Sequence, residues 1–361
     1  MVINFAAGPA KLPEEVLEEV QKELIHYGNS GMSVMEMSHR GAQYLSLHDV
    51  AIKTVTELLN IPANYKVLFM QGGGTGLFAA VCMNLMGKTG VADYVVTGSW
   101  SSKAAKEAAK YGKVNMVIPK ASKFVNIPDQ KEWKLDPNAS YLYYCDNETV
   151  DGVEFNFIPE TNGVPLVCDM SSNMLSRPFD IKRFGLIFAG AQKNIGPAGI
   201  TLVIVREDLL GSPMSITPTV LDFTIMAKDN SVHNTPPTFI IYVVGRVFEW
   251  IKRKGGVDAM LKAAITKSQA IYNVINESND FYTCPVALDC RSRMNIPFRI
   301  CNGDEAMEKE FLKQAESLGM VQLKGHRSVG GIRASLYNAV TVDNAQTLAK
   351  FMLAFYEKHK K

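Results

Sequence analysis

The amino-acid sequence predicts an α/β fold, with a large domain built on a mainly parallel sheet flanked by helices and a smaller C-terminal α+β domain. Three observations lead to this prediction. Short apolar segments alternate with segments of helical periodicity, which is typical of parallel sheets. Several apolar segments are hydrophobic at both odd and even positions, as strands covered on both faces are. The alternation changes near residue 236, where longer helices begin.

The first part of the chain carries the strand–helix alternation. Lys66–Met70 predicts a buried strand, which a glycine-rich turn over residues 72–76 and a helix over Leu77–Met86 follow. Ser101–Tyr111 predicts a short helix that two serines open. The other predicted strands are Tyr94–Thr97, Val114–Ile118, Tyr141–Cys145, Pro165–Asp169, Leu186–Ala189 and Thr201–Val205.

The last part of the chain predicts a separate unit. After Pro236-Pro237 the pattern indicates a helix over Phe239–Lys254, a break at Gly255-Gly256 and a helix over Val257–Asn276. The elements expected after these are a strand over Pro297–Cys301, a helix over Glu305–Leu318, a strand over Gly331–Leu336 and a helix over Asp343–Lys358. We therefore expect a large domain over residues 14–255 and a small domain that consists of residues 256–361 and an N-terminal arm over residues 1–13.

Length and composition indicate a globular protein with room for about two domains. Of the 361 residues, 47% are hydrophobic and 20% are charged, which excludes an extended disordered chain. The 38 basic residues nearly balance the 36 acidic ones and leave a formal net charge of +2. We expect neither a nucleic-acid nor a membrane partner, because both favour a broad basic surface.

Neither a metal site nor a disulfide framework is expected. The six cysteines form no CxxC pair, and the six histidines form no HExxH motif. Reduced thiols suit an intracellular compartment. The N-terminal segment lacks the basic and apolar regions of a secretory signal, so we expect a cytoplasmic location.

The glycine-rich turn is a candidate phosphate site. Gly-Gly-Gly-Thr-Gly over residues 72–76 stands between a predicted strand and a predicted helix, where free backbone N–H groups and the helix dipole favour an anion. Thr75 can add a hydroxyl. The spacing fits neither a Walker A loop nor the GxGxxG fingerprint. A tight strand–helix turn without a ligand is the alternative.

Two further residues, Asp169 and Lys193, are candidates for the same site as the glycine-rich turn. Asp169 ends a predicted parallel strand, where α/β folds bind ligands, and Lys193 lies between an apolar strand and a Gly/Pro turn. Taken alone, each has an ordinary structural explanation: a helix cap or buried ion pair for Asp169, a surface turn for Lys193. Together with the glycine turn they supply what pyridoxal phosphate needs, namely a phosphate anchor, an acid for the ring nitrogen and an amine. Trp100 is a candidate to stack on the ring.

The remaining candidates are cations. His39-Arg40 and His326-Arg327 are two His-Arg dipeptides, and Arg333 lies in a predicted strand between apolar Ile332 and Ala334. Arginine binds carboxylates and phosphates through two parallel hydrogen bonds. The set predicts a strongly anionic substrate, although ordinary surface charge is the better explanation for either dipeptide taken alone.

These residues and the strings around them resemble the phosphoserine aminotransferase family, which consists of pyridoxal-phosphate enzymes of fold type I and aminotransferase class V. The resemblance runs from about Asn4 to Phe355. The matching strings are Asn4-Phe5 with Gly8-Pro9-Ala10, Met37-Ser38-His39-Arg40, residues 71–76, Asn147-Glu148-Thr149-Val150, residues 190–199, His233-Asn234-Thr235-Pro236-Pro237 and residues 331–339. The chain departs from the family pattern at Ala7 and Asp151, and neither change touches Lys193 or Asp169.

The resemblance implies a role for each matched residue. Lys193 would bind pyridoxal phosphate covalently, Asp169 would pair with its ring nitrogen and Trp100 would stack on the ring. Arg333 would bind the substrate α-carboxylate. The other implied cofactor contacts are Gly74, Thr75, Thr149 and Gln192, with Asn234 and Thr235 from the second subunit of a homodimer. The phosphate of phosphoserine, or the distal carboxylate of glutamate, would be held by four cationic residues, namely His39, Arg40, His326 and Arg327.

The implied reaction is transamination between L-glutamate and 3-phosphohydroxypyruvate in serine biosynthesis, and two alternatives stay open. The nearer one is another fold type I aminotransferase, such as one for alanine and glyoxylate, or a cysteine desulfurase. A desulfurase needs a mobile catalytic cysteine, for which Cys284 and Cys290 are the candidates outside predicted strands. The other is a non-catalytic phosphate-binding module, which explains the glycine turn but not Lys193, Asp169 and Trp100 together.

Overall fold

The structure is a computed structural model that describes residues 2–360. The strands in chain order are β1 (Ile3–Asn4), β2 (Tyr65–Met70), β3 (Val91–Tyr94), β4 (Lys113–Met116), β5 (Leu142–Cys145), β6 (Leu166–Asp169), β7 (Leu186–Gly190), β8 (Thr201–Arg206), β9 (Tyr282–Thr283), β10 (Asn295–Ile300), β11 (Met320–Val321) and β12 (Ile332–Ser335). The α-helices are α1 (Glu14–Glu23), α2 (Ala42–Leu59), α3 (Gly73–Leu85), α4 (Ser99–Ala108), α5 (Phe223–Lys228), α6 (Thr238–Arg253), α7 (Gly256–Asn276), α8 (Glu305–Ser317) and α9 (Val342–His359).

A seven-stranded sheet forms the centre of the molecule, with strands in the order β2-β8-β7-β6-β5-β3-β4. Strand β8 runs antiparallel to its neighbours β2 and β7, and the other neighbouring strands pair in parallel. Every residue of β5, β6 and β7 is buried. The predicted α/β class with a mainly parallel sheet is therefore confirmed.

Helices cover both faces of this sheet, which explains why its strands are apolar at every position. Alternate residues enter two different cores: Cys168 and Ile187 pack with α2 and α6, whereas Val167 and Phe188 pack with α3, α4 and α5. Successive side chains of a strand point to opposite faces, so a strand buried on both sides has no polar side.

The C-terminal part has its own sheet and core. Strands β9, β10 and β12 form an antiparallel sheet in the order β12-β10-β9. The N-terminal arm joins this part, because β1 pairs in parallel with β11 and Phe5 is buried in the same core as Phe311 and Phe351. The expected division at residue 255 stays a prediction, and residues 1 and 361 of the expected small domain lie outside the described chain.

Several elements differ from those expected. The strand expected over Tyr94–Thr97 is displaced to Val91–Tyr94, and the residues after it lead directly into α4. The glycine turn is the first turn of α3: Gly72 has a φ of +102°, and the N–H of Gly76 donates to its carbonyl. Helices α1, α2 and α5 and the two-residue strands β1, β9 and β11 were not predicted. No helix within residues 2–360 combines the length and apolarity needed to cross a bilayer.

Candidate active site

A cavity of about 230 Å³ lies where the carboxyl ends of β5, β6 and β7 meet the start of α3, the first turn of α4 and strand β12. Its wall consists of Ala7, Gly8, Gly74, Thr75, Phe78, Trp100, Cys145, Asn147, Thr149, Val150, Asp169, Ser171, Gln192, Lys193, His326 and Arg333. Nine of the residues predicted for the site therefore share one wall. They are Gly74, Thr75, Trp100, Thr149, Asp169, Gln192, Lys193, His326 and Arg333.

The amine of Lys193 is buried and held by hydroxyl groups. Its Nζ donates to Oγ1 of Thr149 at 2.7 Å and to Oγ of Ser172 at 2.9 Å. The two hydroxyls are themselves 2.7 Å apart. Within residues 2–360 no carboxylate lies within 4.0 Å of this amine to form an ion pair. The amine is therefore oriented without being neutralised, as a nucleophile or proton carrier needs to be.

Asp169 presents a buried carboxyl group at the end of β6. Its Oδ1 accepts hydrogen bonds from the N–H and the hydroxyl of Ser171, at 2.9 and 2.6 Å. Burial raises the pKa of Asp169, whereas the charge of Lys193 and the bonds from Ser171 act in the opposite direction. A buried carboxylate favours a cationic partner, so the position suits a ligand that presents a protonated nitrogen.

The first turn of α3 offers free backbone donors to the cavity. Gly74 and Thr75 lie in the wall, and a Cβ added at Gly73 or Gly74 would meet nothing within 4 Å. The four leading N–H groups of a helix have no partner inside it, and the dipole there is positive. A phosphate group fits this end of the cavity.

Two carboxyl groups fix the first turn of α4, which carries Trp100. Glu148 accepts from the N–H of Trp100 at 2.8 Å and from the N–H of Ser101 at 2.9 Å, and Asp151 accepts from the N–H of Ser99 at 2.7 Å. Burial raises the pKa of Glu148 to about 7. The indole Nε1 of Trp100 is buried and has no hydrogen-bond partner among residues 2–360, which leaves a donor for a bound group.

Arg333 makes the opposite side of the cavity cationic, and His326 adds a ring that can donate a hydrogen bond beside it. The guanidinium of Arg333 donates to the carbonyl of Thr149 at 3.2 Å, and no carboxylate of the described chain lies within 4.0 Å of it. Burial lowers the pKa of Arg333. Burial and the charge of Arg333 also lower the pKa of His326, while Asp151 acts against them. This side is arranged to receive an anion.

The other five predicted site residues do not contribute to this wall in the described part of a single chain. They are His39, Arg40, Arg327, Asn234 and Thr235. Asn234 donates to Oε1 of Gln71 at 3.1 Å, next to the glycine turn, and its own Oδ1 is buried without a partner among the described residues. Their roles stay predictions.

Sequence reasoning missed three residues that organise the site: Ser171, Ser172 and Glu148. The two serines follow Asp169 by two and three residues, which is a usable signal because strand-end acids are often held by hydroxyls just after them. Glu148 gave no such signal, since its partners lie 47 and 48 residues away in the chain.

The thiol groups do not favour a desulfurase. Cys284 and Cys290 pack with Val153 and Val286, outside the cavity wall, and burial raises the pKa of each. Cys145 lies in the wall, but burial holds its pKa well above the usual value as well. A nucleophilic cysteine needs the opposite shift. Within residues 2–360 no cluster of side chains is suited to a metal ion.

Comparisons with known proteins agree with this geometry. A family model described as aminotransferase class-V matches residues 2–348. Phosphoserine aminotransferase of Drosophila melanogaster is 67% identical over 363 aligned residues, with 100% of both chains covered. The phosphoserine aminotransferase of Laribacter hongkongensis is 54% identical, with 99% of each chain covered.

Solved structures give the same picture. The phosphoserine aminotransferase of Bacillus circulans subsp. alkalophilus superimposes with a TM-score of 0.96 at 48% identity, covering 99% of each chain. That of Trichomonas vaginalis, solved with pyridoxal phosphate bound, gives 0.94 at 40% identity and covers 98% of this chain and 99% of its own. An alanine–glyoxylate aminotransferase of Nostoc, at 15% identity, shares the fold with a TM-score of 0.75.

Proposed function

Because the chain belongs to the class-V aminotransferase family, we propose that it is a phosphoserine aminotransferase. It transfers an amino group reversibly between L-glutamate and 3-phosphohydroxypyruvate, giving O-phospho-L-serine and 2-oxoglutarate for serine biosynthesis. The 67% identity with the Drosophila enzyme over the whole chain supports this substrate pair. The observation that carries the proposal is the meeting of a buried amine, a buried acid and an unpaired guanidinium in one cavity: Lys193, Asp169 and Arg333.

The cofactor is pyridoxal phosphate, and the residues of the cavity fit it. The first turn of α3, with Gly74 and Thr75, suits its phosphate, the Asp169 carboxyl suits its ring nitrogen, and Trp100 offers a flat face and an unused N–H. Gln192 and Thr149 line the space between these groups. When bound, pyridoxal phosphate supplies a conjugated ring that takes up the electron pair released at the substrate α-carbon.

Lys193 holds the cofactor and then moves the proton. Its amine receives the proton from the α-carbon and returns it later in the reaction. Thr149 and Ser172 orient the amine, because each hydroxyl lies within hydrogen-bonding distance of Nζ. The Asp169 carboxylate, which the bonds from Ser171 hold in place, would stabilise positive charge on the ring nitrogen.

Arg333 binds the substrate α-carboxylate, and His326 with Arg327, His39 and Arg40 binds the distal anion. One cationic region then serves both the phosphate of phosphoserine and the distal carboxylate of glutamate. We further propose a homodimer, in which Asn234 and Thr235 reach the cofactor phosphate of the second copy. Neither residue lines the cavity of its own chain, which supports a contact with the cavity of a second copy. The cytoplasm is the proposed location, because all six cysteines are free thiols.

The first test is a visible absorption spectrum of the purified protein, followed by rapid mixing with L-phosphoserine or L-alanine. A cofactor band that is lost with phosphoserine and hardly changes with alanine is the expected result. A band that responds to alanine instead would indicate another aminotransferase. No band after addition of pyridoxal phosphate would favour a phosphate-binding module.

Replacing Lys193 tests the role of its amine. The Lys193→Ala variant should keep its fold, since the side chain lines a cavity, and lose about a thousandfold or more in kcat. Transamination of phosphoserine with glutamate is the measurement, with circular dichroism as the folding control. Full activity in this variant would contradict the proposed mechanism.

A further inference from the structure

Lys103 places an unassigned positive charge beside the cavity. It lies on α4, one turn after Trp100, and its ammonium is 4.1 Å from the centroid of the Trp100 ring. The face of an aromatic ring attracts a cation, so the contact favours this position of the ammonium. No carboxylate of residues 2–360 lies within 4.0 Å of the ammonium, and its charge is therefore not cancelled locally.

Lys103 contacts a residue of the cavity wall, because the Trp100 ring beneath its ammonium lines the cavity. His326 lines the same wall, and burial together with the charges of Arg333, Lys103 and Arg327 lowers the pKa of His326, whereas Asp151 acts in the other direction. Lys103 thus adds to the same positive potential that Arg333 and the His326-Arg327 loop produce.

The two amino donors of the proposed reaction differ in charge. A phosphate monoester carries about −1.5 to −2 near neutral pH, whereas the distal carboxylate of glutamate carries −1. An added cation therefore stabilises bound phosphoserine more than bound glutamate, by roughly the ratio of the two charges in a Coulomb interaction. A residue of this kind changes preference without taking part in the chemistry.

We infer that Lys103 is a specificity-determining residue that raises the preference of the site for the phosphorylated substrate over glutamate. This inference rests on the proposed function. The side chain stays anchored on Trp100 and acts through its charge on the anion bound near His326 and Arg333. Because Lys103 is exposed, its effect should weaken as salt screens it.

The test compares Lys103→Met with Lys106→Met. Both lysines are exposed on α4, and both variants remove one positive charge, but only Lys103 contacts Trp100. For Lys103→Met we expect kcat/KM for phosphoserine to fall about fivefold at low salt and kcat/KM for glutamate to fall about two- to threefold. Lys106→Met should change both values by less than about twofold, and Lys103→Arg should restore the phosphoserine value.

A binding measurement separates the effect of the Lys103 charge on substrate affinity from any effect on the rate of transamination. Phosphoserine titrated into the holoenzyme, followed by the visible band of the cofactor, should give a weaker apparent affinity in Lys103→Met and a shallower dependence on salt. Equal losses for phosphoserine and glutamate would overturn the inference, because they would indicate a displaced Trp100. Equal behaviour of the two methionine variants would overturn it as well. A wild-type protein that does not transaminate phosphoserine would instead contradict the proposed function.

Discussion

At the scale of single residues, the site is built from buried polar groups whose partners come from distant parts of the chain. Lys193 rests on Thr149 and Ser172, and Asp169 rests on Ser171. The proximity of Lys193 and Asp169 could be predicted from the sequence, because the carboxyl ends of parallel strands meet at one edge of a sheet. The hydroxyls that hold the amine could not be predicted, since that choice depends on how the loops after β5 and β6 pack.

His48 is a buried polar residue that predicts a pH dependence of stability. It is fully buried on α2, and its ring packs 5.3 Å from the ring of Phe69. Neither ring nitrogen has a hydrogen-bond partner among residues 2–360, and the nearest carboxylate, Asp49, is 3.9 Å away. Burial lowers the pKa of His48 below 6.5, so the unfolded chain binds the proton more readily than the folded one.

The free energy of unfolding should therefore fall as the pH drops below 6.5 and should be unaffected by this residue above it. The His48→Phe variant should lose less stability between neutral and mildly acidic pH than the wild type, by up to about 1.4 kcal/mol per pH unit. Urea unfolding at the two pH values measures this. Replacing exposed His26 by Gln is the control, and equal acid sensitivity in wild type and His48→Phe would contradict the prediction.

At the scale of elements, the hydrophobic pattern predicted a strand or helix where the burial of that element alone determines which positions are apolar. The buried strands β5, β6 and β7 were recognised because both faces are covered, and apolar residues then occupy every position. Helix α2 was missed although Tyr44, His48, Ala51, Val55 and Leu58 are its buried face, at helical spacing. The polar residues His48 and Thr54 on that face obscured the periodicity. The start of α3 within the glycines was missed because glycine is normally unfavourable inside a helix.

The first turn of α4 gives a prediction at this scale. Glu148 accepts from two of its N–H groups and from the hydroxyl of Ser101, so Glu148→Ala leaves Asp151 as the one carboxyl group among residues 2–360 that holds the turn. We expect the free energy of unfolding to fall by about 1–3 kcal/mol and pyridoxal phosphate to bind about tenfold more weakly, because Trp100 is no longer held.

Cofactor titration, followed by quenching of tryptophan fluorescence, checks the second part. Glu107→Ala is the matched control on α4, since it removes only the side-chain contacts with Lys110 and Tyr111 and should cost a few tenths of a kcal/mol. Unchanged cofactor affinity in Glu148→Ala would show that the turn does not position the ring.

At the scale of the whole molecule, the C-terminal part is tied to the cavity by a buried lysine. Lys267 on α7 donates to the carbonyls of Leu336 and Tyr337 at 2.8 Å and of Val340 at 2.9 Å. The turn that it holds also carries Asn338, whose N–H donates to Oδ1 of Asn194, next to Lys193. Sequence reasoning did not find Lys267, because nothing around it in α7 marks a residue whose partners lie about 70 positions later.

Removing this amine should affect stability and catalysis together. Lys267→Met leaves three carbonyls without a donor, and we expect a loss of about 2–4 kcal/mol in the free energy of unfolding. Because Asn338 moves with the turn, kcat should fall several-fold while KM for phosphoserine changes less. Lys262→Met, exposed on the same helix, should alter neither property. A stable Lys267→Met enzyme with wild-type kcat would contradict this account.

Phe5 and strand β1 belong to the core of the C-terminal part, although they are among the first residues of the chain. During synthesis on the ribosome, the large sheet can assemble as soon as β8 and α6 have emerged. Its packing partners in α8 and α9 end at His359, so Phe5 cannot be buried in this core until that part of the chain has been made. Phe5 and β1 therefore stay without their core while the residues between them and α9 are translated, and the C-terminal core closes around them last.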